Sequence, residues 1–432
     1  MRYHWNDIPG LLHTPMGRKQ FLEGVYRRSW PILSCLASIH RRTLARSTRV
    51  VAVVGSYGKS TTMRATAAAL KAPFSRLSLR NSWSFVAGAL LRIRPHHRHA
   101  VIEVGIDGVG QMVTYARMIR PDIVVVTSIG SEHNRSLGSL EVTRQEKSEM
   151  VRILSPSGTA ILNGDDPNVV WMKPNTRARV VTFGLAETND IHGSDIILDW
   201  PNGTKFKLHA YGESRDMTIK LIGRHMVCTI LSAIAVALTE GFPLNQIIPS
   251  LENLSPTPGR LEPIKLPYGA FILRDDFKSS LETFDSAFDA FSEIPARRRV
   301  VVLGEISEPP GSQGPIYRKI GEQIAKIASQ AIFVGGSFQR YAAGARRGGL
   351  SSHLLMDAGR SVLKVVETLR GDLGPGDVVL IKGRDTQRLD RITLALTGRT
   401  VRCDISSCNA RAVRCEQCPM LEKGWKGLRI VI

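Results

Sequence analysis

An α/β protein with two parallel sheets is what the sequence predicts, and three observations predict it. From residue 49 onward, apolar β-branched runs alternate with helix-forming stretches, the pattern of βαβ units. The first run, Val50–Val54, breaks into Gly55-Ser56-Tyr57-Gly58-Lys59-Ser60-Thr61 and then into helix formers from Met63 to Leu70. The stretch Ser255-Pro256-Thr257-Pro258-Gly259 stops regular structure and divides the alternation in two.

The elements follow in order. Gln20–Arg28 and Pro31–Arg42 carry apolar residues at helical spacing, so residues 1–48 read as a basic helical extension. Strands are expected at Val50–Val54, Ala100–Val104, Ile123–Thr127, Thr159–Asn163 and Arg179–Phe183. Shorter alternating segments, Ile196-Leu198, Lys205-Leu208 and Met217-Leu221, suggest a small antiparallel insert before a helix at Met226–Glu240. Beyond the linker, strands are expected at Ala270–Arg274, Val300–Leu303, Ala331–Val334 and Val378–Ile381. Helices are expected at Glu282–Phe291, Ile316–Ser329 and Ser361–Leu369. The organisation is a P-loop parallel-sheet central domain over 49–257, a Rossmann-like C-terminal domain over 258–400 and a cysteine-bearing tail over 401–432.

The glycine turn after the first strand is a phosphate loop by its chemistry. Backbone N–H groups and the positive end of the following helix converge where Gly55, Ser56, Tyr57, Gly58 and Thr61 stand. Lys59 neutralises phosphate oxygens, and the Ser60 hydroxyl can sit on Mg²⁺, so ATP or GTP is the expected ligand. Glu103 closes the next strand and His133 follows the one after. In an open parallel sheet both stand on the rim where ligands bind, placed to serve a metal ion. Lys147 lies in a helical stretch, Glu141–Leu154.

Composition sets limits. In 432 residues, 43% hydrophobic and 22% charged content fits a globular protein. The net charge of +20 favours anionic partners. The longest early apolar run, Trp30–Ile39, falls short of the ~20 residues of a spanning helix, so the expected location is cytoplasmic. The basic N-terminal segment is where an anionic membrane could be met. Nucleic acid is not expected, since aromatic residues do not interleave with the basic ones.

In its ordered motifs the chain resembles the Mur ligases, the ATP-dependent amide ligases of peptidoglycan precursor synthesis, and most of all their D-alanyl-D-alanine-adding branch. Gly55–Thr62, Glu103-Val-Gly, Ser128-Ile-Gly-Ser-Glu-His133, Lys147-Ser-Glu149 and Asn163-Gly-Asp-Asp166 stand in that family's order. Gly223-Arg-His225, Gly259-Arg-Leu-Glu262, Leu303-Gly-Glu305 and Lys382-Gly-Arg384 follow. The resemblance implies that ATP and Mg²⁺ convert a substrate carboxylate to an acyl phosphate, which an amine or amino-acid substrate then attacks. It implies that Lys59 holds phosphate, that Ser60, Glu103 and His133 serve Mg²⁺, and that Lys147 is the family lysine that can be carbamylated. Asp276 and Lys278 correspond to an Asp-x-Lys segment that meets ribose and phosphate, and Arg260 to an arginine that reaches the nucleotide on domain closure. Asp275-Asp276 also has the form of a helix cap.

Departures from the pattern carry their own expectations. Ser128, Met226 and Thr229 stand where the family has asparagines, and Tyr317 where a histidine is common. The 48 residues before the first strand are too few for the family's UDP-sugar domain. A different acid, as in poly-γ-glutamate-type synthesis, or a catalytically weakened ATP-binding scaffold are therefore the alternatives. In the tail, Cys403, Cys408, Cys415 and Cys418 could close a structural Zn²⁺ site or be plain reduced thiols.

Overall fold

The structure, a computed structural model, describes residues 12–13, 15–131, 134–410 and 413–424. These form two compact units: residues 26–255, and residues 256–432 together with 1–25.

The first unit is built on an eight-stranded sheet. Its strands are β1 (Arg49–Val54), β2 (His99–Glu103), β3 (Ile123–Val126), β4 (Thr159–Asn163), β5 (Arg179–Gly184), β6 (Ile191–Asp199), β7 (Gly203–Ala210) and β8 (Glu213–Ile219). They lie in the order β2-β1-β3-β4-β5-β6-β7-β8. Pairings are parallel from β2 through to β6 and antiparallel from β6 to β8. The expected antiparallel insert is therefore a continuation of the main sheet, joined through Phe183↔Ile191 and Gly184↔His192.

Burial on both faces explains the unbroken apolar runs. Val51 and Val53 join one core with the helices Lys59–Ala69 and Arg224–Thr239. Val50, Ala52 and Val54, pointing the other way, join a second core with the helices Ser84–Leu91 and Gln111–Ile119.

The second unit holds a six-stranded sheet made of β9 (Glu262–Lys265), β10 (Phe271–Asp275), β11 (Arg298–Leu303), β12 (Gln330–Phe333), β13 (Leu355–Asp357) and β14 (Asp377–Lys382). Its order is β13-β12-β11-β14-β10-β9, all parallel except the β9 edge. Two of these strands have no sequence signal. β9 is polar and contains Pro263, which an edge strand tolerates, and β13 is three residues long.

The N-terminal extension is not one piece. Met16, in the helix Pro15–Arg28, is buried with Ala410 and Val413 of the tail in the second unit. The helix Trp30–Arg42 belongs to the first unit. There Arg41 donates to the carbonyls of Ile119 and Ala45 and pairs with Asp122 at 2.9 Å. Among the described residues no helix is long and apolar enough to cross a membrane.

Candidate active site at the carboxyl ends of β1 to β3

The turn after β1 has the backbone a phosphate cradle needs. Gly55 and Gly58 have φ of 149° and 82°, and a Cβ at Gly55 would stand 2.0 Å from Thr127 Oγ1. That clash makes glycine obligatory at 55. The helix Lys59–Ala69 begins directly after Gly58, so the positive end of its dipole faces the turn. The loop is tied to the end of β3. Thr127 Oγ1 donates to Tyr57 O at 2.5 Å, Tyr57 N donates to Ser128 Oγ at 3.0 Å, and Gly130 N donates to Ser56 Oγ at 2.7 Å. Ser128, where the family has asparagine, thus clasps the loop.

Two lysines meet this turn from different helices. Lys59 Nζ donates to the carbonyls of Gly55 (2.7 Å) and Ser56 (2.9 Å). Lys147, in the helix Leu140–Arg152, is only 3% exposed and donates to Ser56 Oγ at 2.8 Å. It is not a solvated helix lysine. Burying a long cationic side chain is costly unless its charge is used.

Glu103 ends β2 opposite Val53 and is 2% exposed. Its Oε1 accepts from Asn81 Nδ2 at 2.6 Å, while Oε2 is buried with no hydrogen-bond partner among the described residues. An orphaned carboxylate oxygen beside a phosphate loop fits a divalent cation, with the half-buried Ser60 as a second oxygen donor. His133, the other expected metal-site residue, lies outside the described residues. Asn163 and Asp166 brace the rim: Asn163 Nδ2 donates to Thr127 O at 2.9 Å, and Asp166 Oδ2 accepts from Ile129 N at 2.8 Å. Thr127 is a site residue that its place at the end of β3 could have revealed. Asn81 sits in an irregular loop and gives no signal.

In the second unit, Asp276 is buried and both its oxygens accept from Arg274 Nε, at 3.0 and 2.8 Å. Burial pushes its carboxyl upward and Arg274 opposes that. Asp275 pairs with Lys382. Neither aspartate caps a helix, because the next one starts only at Thr283. Arg260 lies over the Phe277 ring at 4.9 Å, and Lys278 is half-buried. Tyr317 donates to Glu305 Oε2 at 2.8 Å, so the residue in the histidine position holds a half-buried carboxylate. Met226 and Thr229 are both buried on the helix Arg224–Thr239.

All four tail cysteines line one cavity. Among the described residues, however, no three His, Cys, Asp or Glu side chains are already grouped to hold a metal ion. Burial pushes the Cys415 and Cys418 thiols up.

Comparison with known proteins identifies the family of both units. The Mur ligase middle domain matches residues 53–237, and the Mur ligase glutamate ligase domain matches 259–384. The UDP-N-acetylmuramoyl-tripeptide–D-alanyl-D-alanine ligase of Escherichia coli is 30% identical over 284 residues, 65% of this chain and 62% of the relative. That of Mycobacterium tuberculosis is 26% identical over 426 residues, covering 90% and 82%. The chain thus spans less than two thirds of the first of these relatives. The fold matches MurF of Acinetobacter baumannii (TM-score 0.75, 22% identity, 86% of this chain and 81% of that one). It also matches Thermotoga maritima MurF in complex with ADP (0.74, 21%, 85% and 83%). With the two domain models matched in order, one on each unit, the chain belongs to the Mur ligase family.

Proposed function

We propose that this chain is an ATP-dependent amide ligase. In this reading it activates a carboxylate as an acyl phosphate and passes the acyl group to an amine, with UDP-N-acetylmuramoyl-tripeptide as the acid and D-alanyl-D-alanine as the amine. The observation that carries this reading is that Lys59 and Lys147 meet on one glycine turn while Glu103, at the end of the neighbouring strand, keeps a buried oxygen with no hydrogen-bond partner among the described residues. Phosphoryl transfer needs little covalent help from a protein. It needs cations and N–H dipoles fixed where charge accumulates on the equatorial oxygens.

Lys59 and the backbone of Gly55–Thr61 hold the β- and γ-phosphates. Glu103 and Ser60 hold Mg²⁺, which when bound neutralises phosphate charge. The substrate carboxylate oxygen forms a bond to the γ-phosphorus as the bond to the ADP oxygen breaks. The amine then attacks the acyl carbon, phosphate leaves, and the amine loses a proton. Lys147 takes part as its carbamate, formed when its neutral amine adds CO₂ and releases a proton. Arg260, Asp276 and Lys278 contribute to nucleotide binding, with Asp276 exchanging part of its Arg274 pairing for a ribose hydroxyl.

Phosphate release by the purified chain tests this reading. Release that requires ATP, Mg²⁺, the tripeptide nucleotide and the dipeptide together supports it. Release with a glutamyl acid and glutamate instead would reassign the substrates. Tight ATP binding with no acid-dependent turnover above a Lys59→Ala control would make the chain a scaffold. Met226 and Thr229 in the asparagine positions give that second outcome its physical basis.

A further inference from the structure

Residues 401–410 and 413–424 do not hang free of the second unit. Asp404 accepts from Ser361 Oγ (2.6 Å) and Val362 N (2.9 Å), closing the first turn of the helix Val362–Arg370. Cys408 N donates to Thr386 O at 2.7 Å, and Arg402 N and Cys403 N both donate to Leu421 O. The tail therefore folds back on itself against the segment that follows β14, and this brings its four cysteines around one cavity.

We infer that Cys403, Cys408, Cys415 and Cys418 together bind one structural Zn²⁺. Three observations carry the inference. First, the cavity they share measures about 20 Å³, which is room for a single water-sized sphere. Second, Cys415 and Cys418 flank a single 3₁₀ turn, closed by Cys418 N donating to Cys415 O at 3.1 Å. The main-chain N–H groups of Met420 and Leu421 face the Cys418 sulfur. A two-residue spacer on a tight turn, with N–H donors on the sulfur, suits a metal thiolate better than a buried thiol.

Third, Arg391 is 1% exposed and lines the same cavity. Its donors go to the carbonyls of Arg388, Gln387, Cys403 and Ile405 and, at 3.5 Å, to Cys403 Sγ. Among the described residues no carboxylate pairs with it. A buried guanidinium without an anion is expensive. A zinc ion bound by four thiolates carries a net charge of −2, and Arg391 together with Arg388, on the same wall, offsets it. Asp390, which faces Cys415, lies 3.8 Å from Arg274, an arginine it shares with Asp276 and Glu262. To complete a closed tetrahedral site the four thiols lose their protons and draw together on the ion.

Such a site has a structural use. Arg414, one residue before Cys415, stacks on Phe277 at 5.2 Å, on the same ring that carries Arg260. Fixing the tail fixes Phe277 between Asp276 and Lys278. That consequence rests on the proposed nucleotide role of those residues; the metal site itself does not.

The test is elemental analysis of the full-length chain, expressed with zinc supplied and purified under reducing conditions without chelator. One zinc per chain is expected. It should be released as a mercurial titrates the four thiols, kept by Cys35→Ser, whose thiol is exposed and distant in sequence, and lost in Cys415→Ser and Cys418→Ser. Because the serine variants can misfold, the stripped wild-type chain is also titrated with Co²⁺. The strong charge-transfer and ligand-field bands of tetrahedral cobalt thiolate are expected. Zinc below about a tenth of an equivalent with no such cobalt spectrum would overturn the site. So would an iron–sulfur chromophore, or a disulfide among the four cysteines in the freshly purified chain.

Discussion

The carboxyl ends of the strands hold buried lysines in both units, but they hold them in different ways. After β1, Lys59 donates to two main-chain carbonyls and Lys147 to a serine hydroxyl, all on the glycine turn. At the end of β14, Lys382 is 0% exposed. It pairs with the carboxylate of Asp275, its register partner on β10, and donates to Thr283 Oγ1 at 3.0 Å. Burial pulls the Lys382 ammonium down and Asp275 pulls it back up. A carboxylate consumes the charge of the lysine it holds, so Lys382 suits a strut that ties two strands together, whereas Lys59 and Lys147 are held on the glycine turn itself, where a phosphate would be met.

Substituting one lysine of each kind separates the two roles. Lys59→Ala is expected to lower kcat for phosphate release by about 10²–10³-fold while leaving the unfolding midpoint nearly unchanged. A large drop in stability with normal residual turnover would erase the distinction. Lys382→Met should do the reverse in equilibrium denaturation. It strands a buried carboxylate on Asp275 and should cost about 3–5 kcal/mol. The double change Lys382→Met with Asp275→Leu should recover much of that loss, because an apolar pair of similar volume needs no charge balance. Failure of the double variant to recover would mean that Lys382 does more than neutralise Asp275.

Glu103 sharpens the comparison within the first unit. Its Oε1 is bonded and its Oε2 is not. Glu103→Gln can keep the Asn81 bond while removing the charge, so stability should hold or rise slightly. Activity should fall by about 10–100-fold and need more Mg²⁺. Isothermal titration with Mg²⁺ and ATP against the wild type measures the second effect. A destabilised variant with unchanged Mg²⁺ dependence would make Glu103 a strut like Asp275.

The difference between the two regions also explains what the sequence could show. The glycine turn was legible because its backbone needs residues that nothing else can replace, and Gly55 packs where any side chain would strike Thr127. The strands buried on both faces were legible as unbroken apolar runs, and the boundary near Pro256 as a cluster of prolines. The partners of the charged groups were not. Lys382 and Asp275 lie 107 positions apart, and only the parallel register of β10 and β14 brings them together. The burial of Lys147 was equally hidden, because its sequence neighbours Glu146 and Glu149 look like a solvated helix face while its own side chain turns inward to Ser56. The split of the first 48 residues between the two units could not be read, since it depends on apolar contacts between Met16 and residues almost four hundred positions later.

At the amino ends of the phosphate-loop strands the first unit uses carboxylate struts too, and these give the smallest predicted effect. Glu240 accepts from Arg49, the first residue of β1, at 2.8 Å and from His99, the first residue of β2, at 3.0 Å. Burial pushes its carboxyl up, but the hydrogen bonds from His99 and Arg49 outweigh that and bring it down to about 2. A depressed folded-state value means that the unfolded chain takes up the proton first as the solution is acidified. The contribution of Glu240 is therefore fully present above the ordinary carboxylate range of about 4.3 and is lost as pH falls from there toward 2. Arg49 is partly exposed, so solvent screening keeps the effect modest. Thermal melts of the wild type and Glu240→Gln from about pH 6 down to pH 3 should converge as the pH falls, the wild type being the more stable at the upper end. Parallel curves would show that the Glu240 carboxylate is not the acid-sensitive strut of this sheet. They would confine the contrast between aimed and neutralised charges to the opposite end of the strands, where the lysines stand.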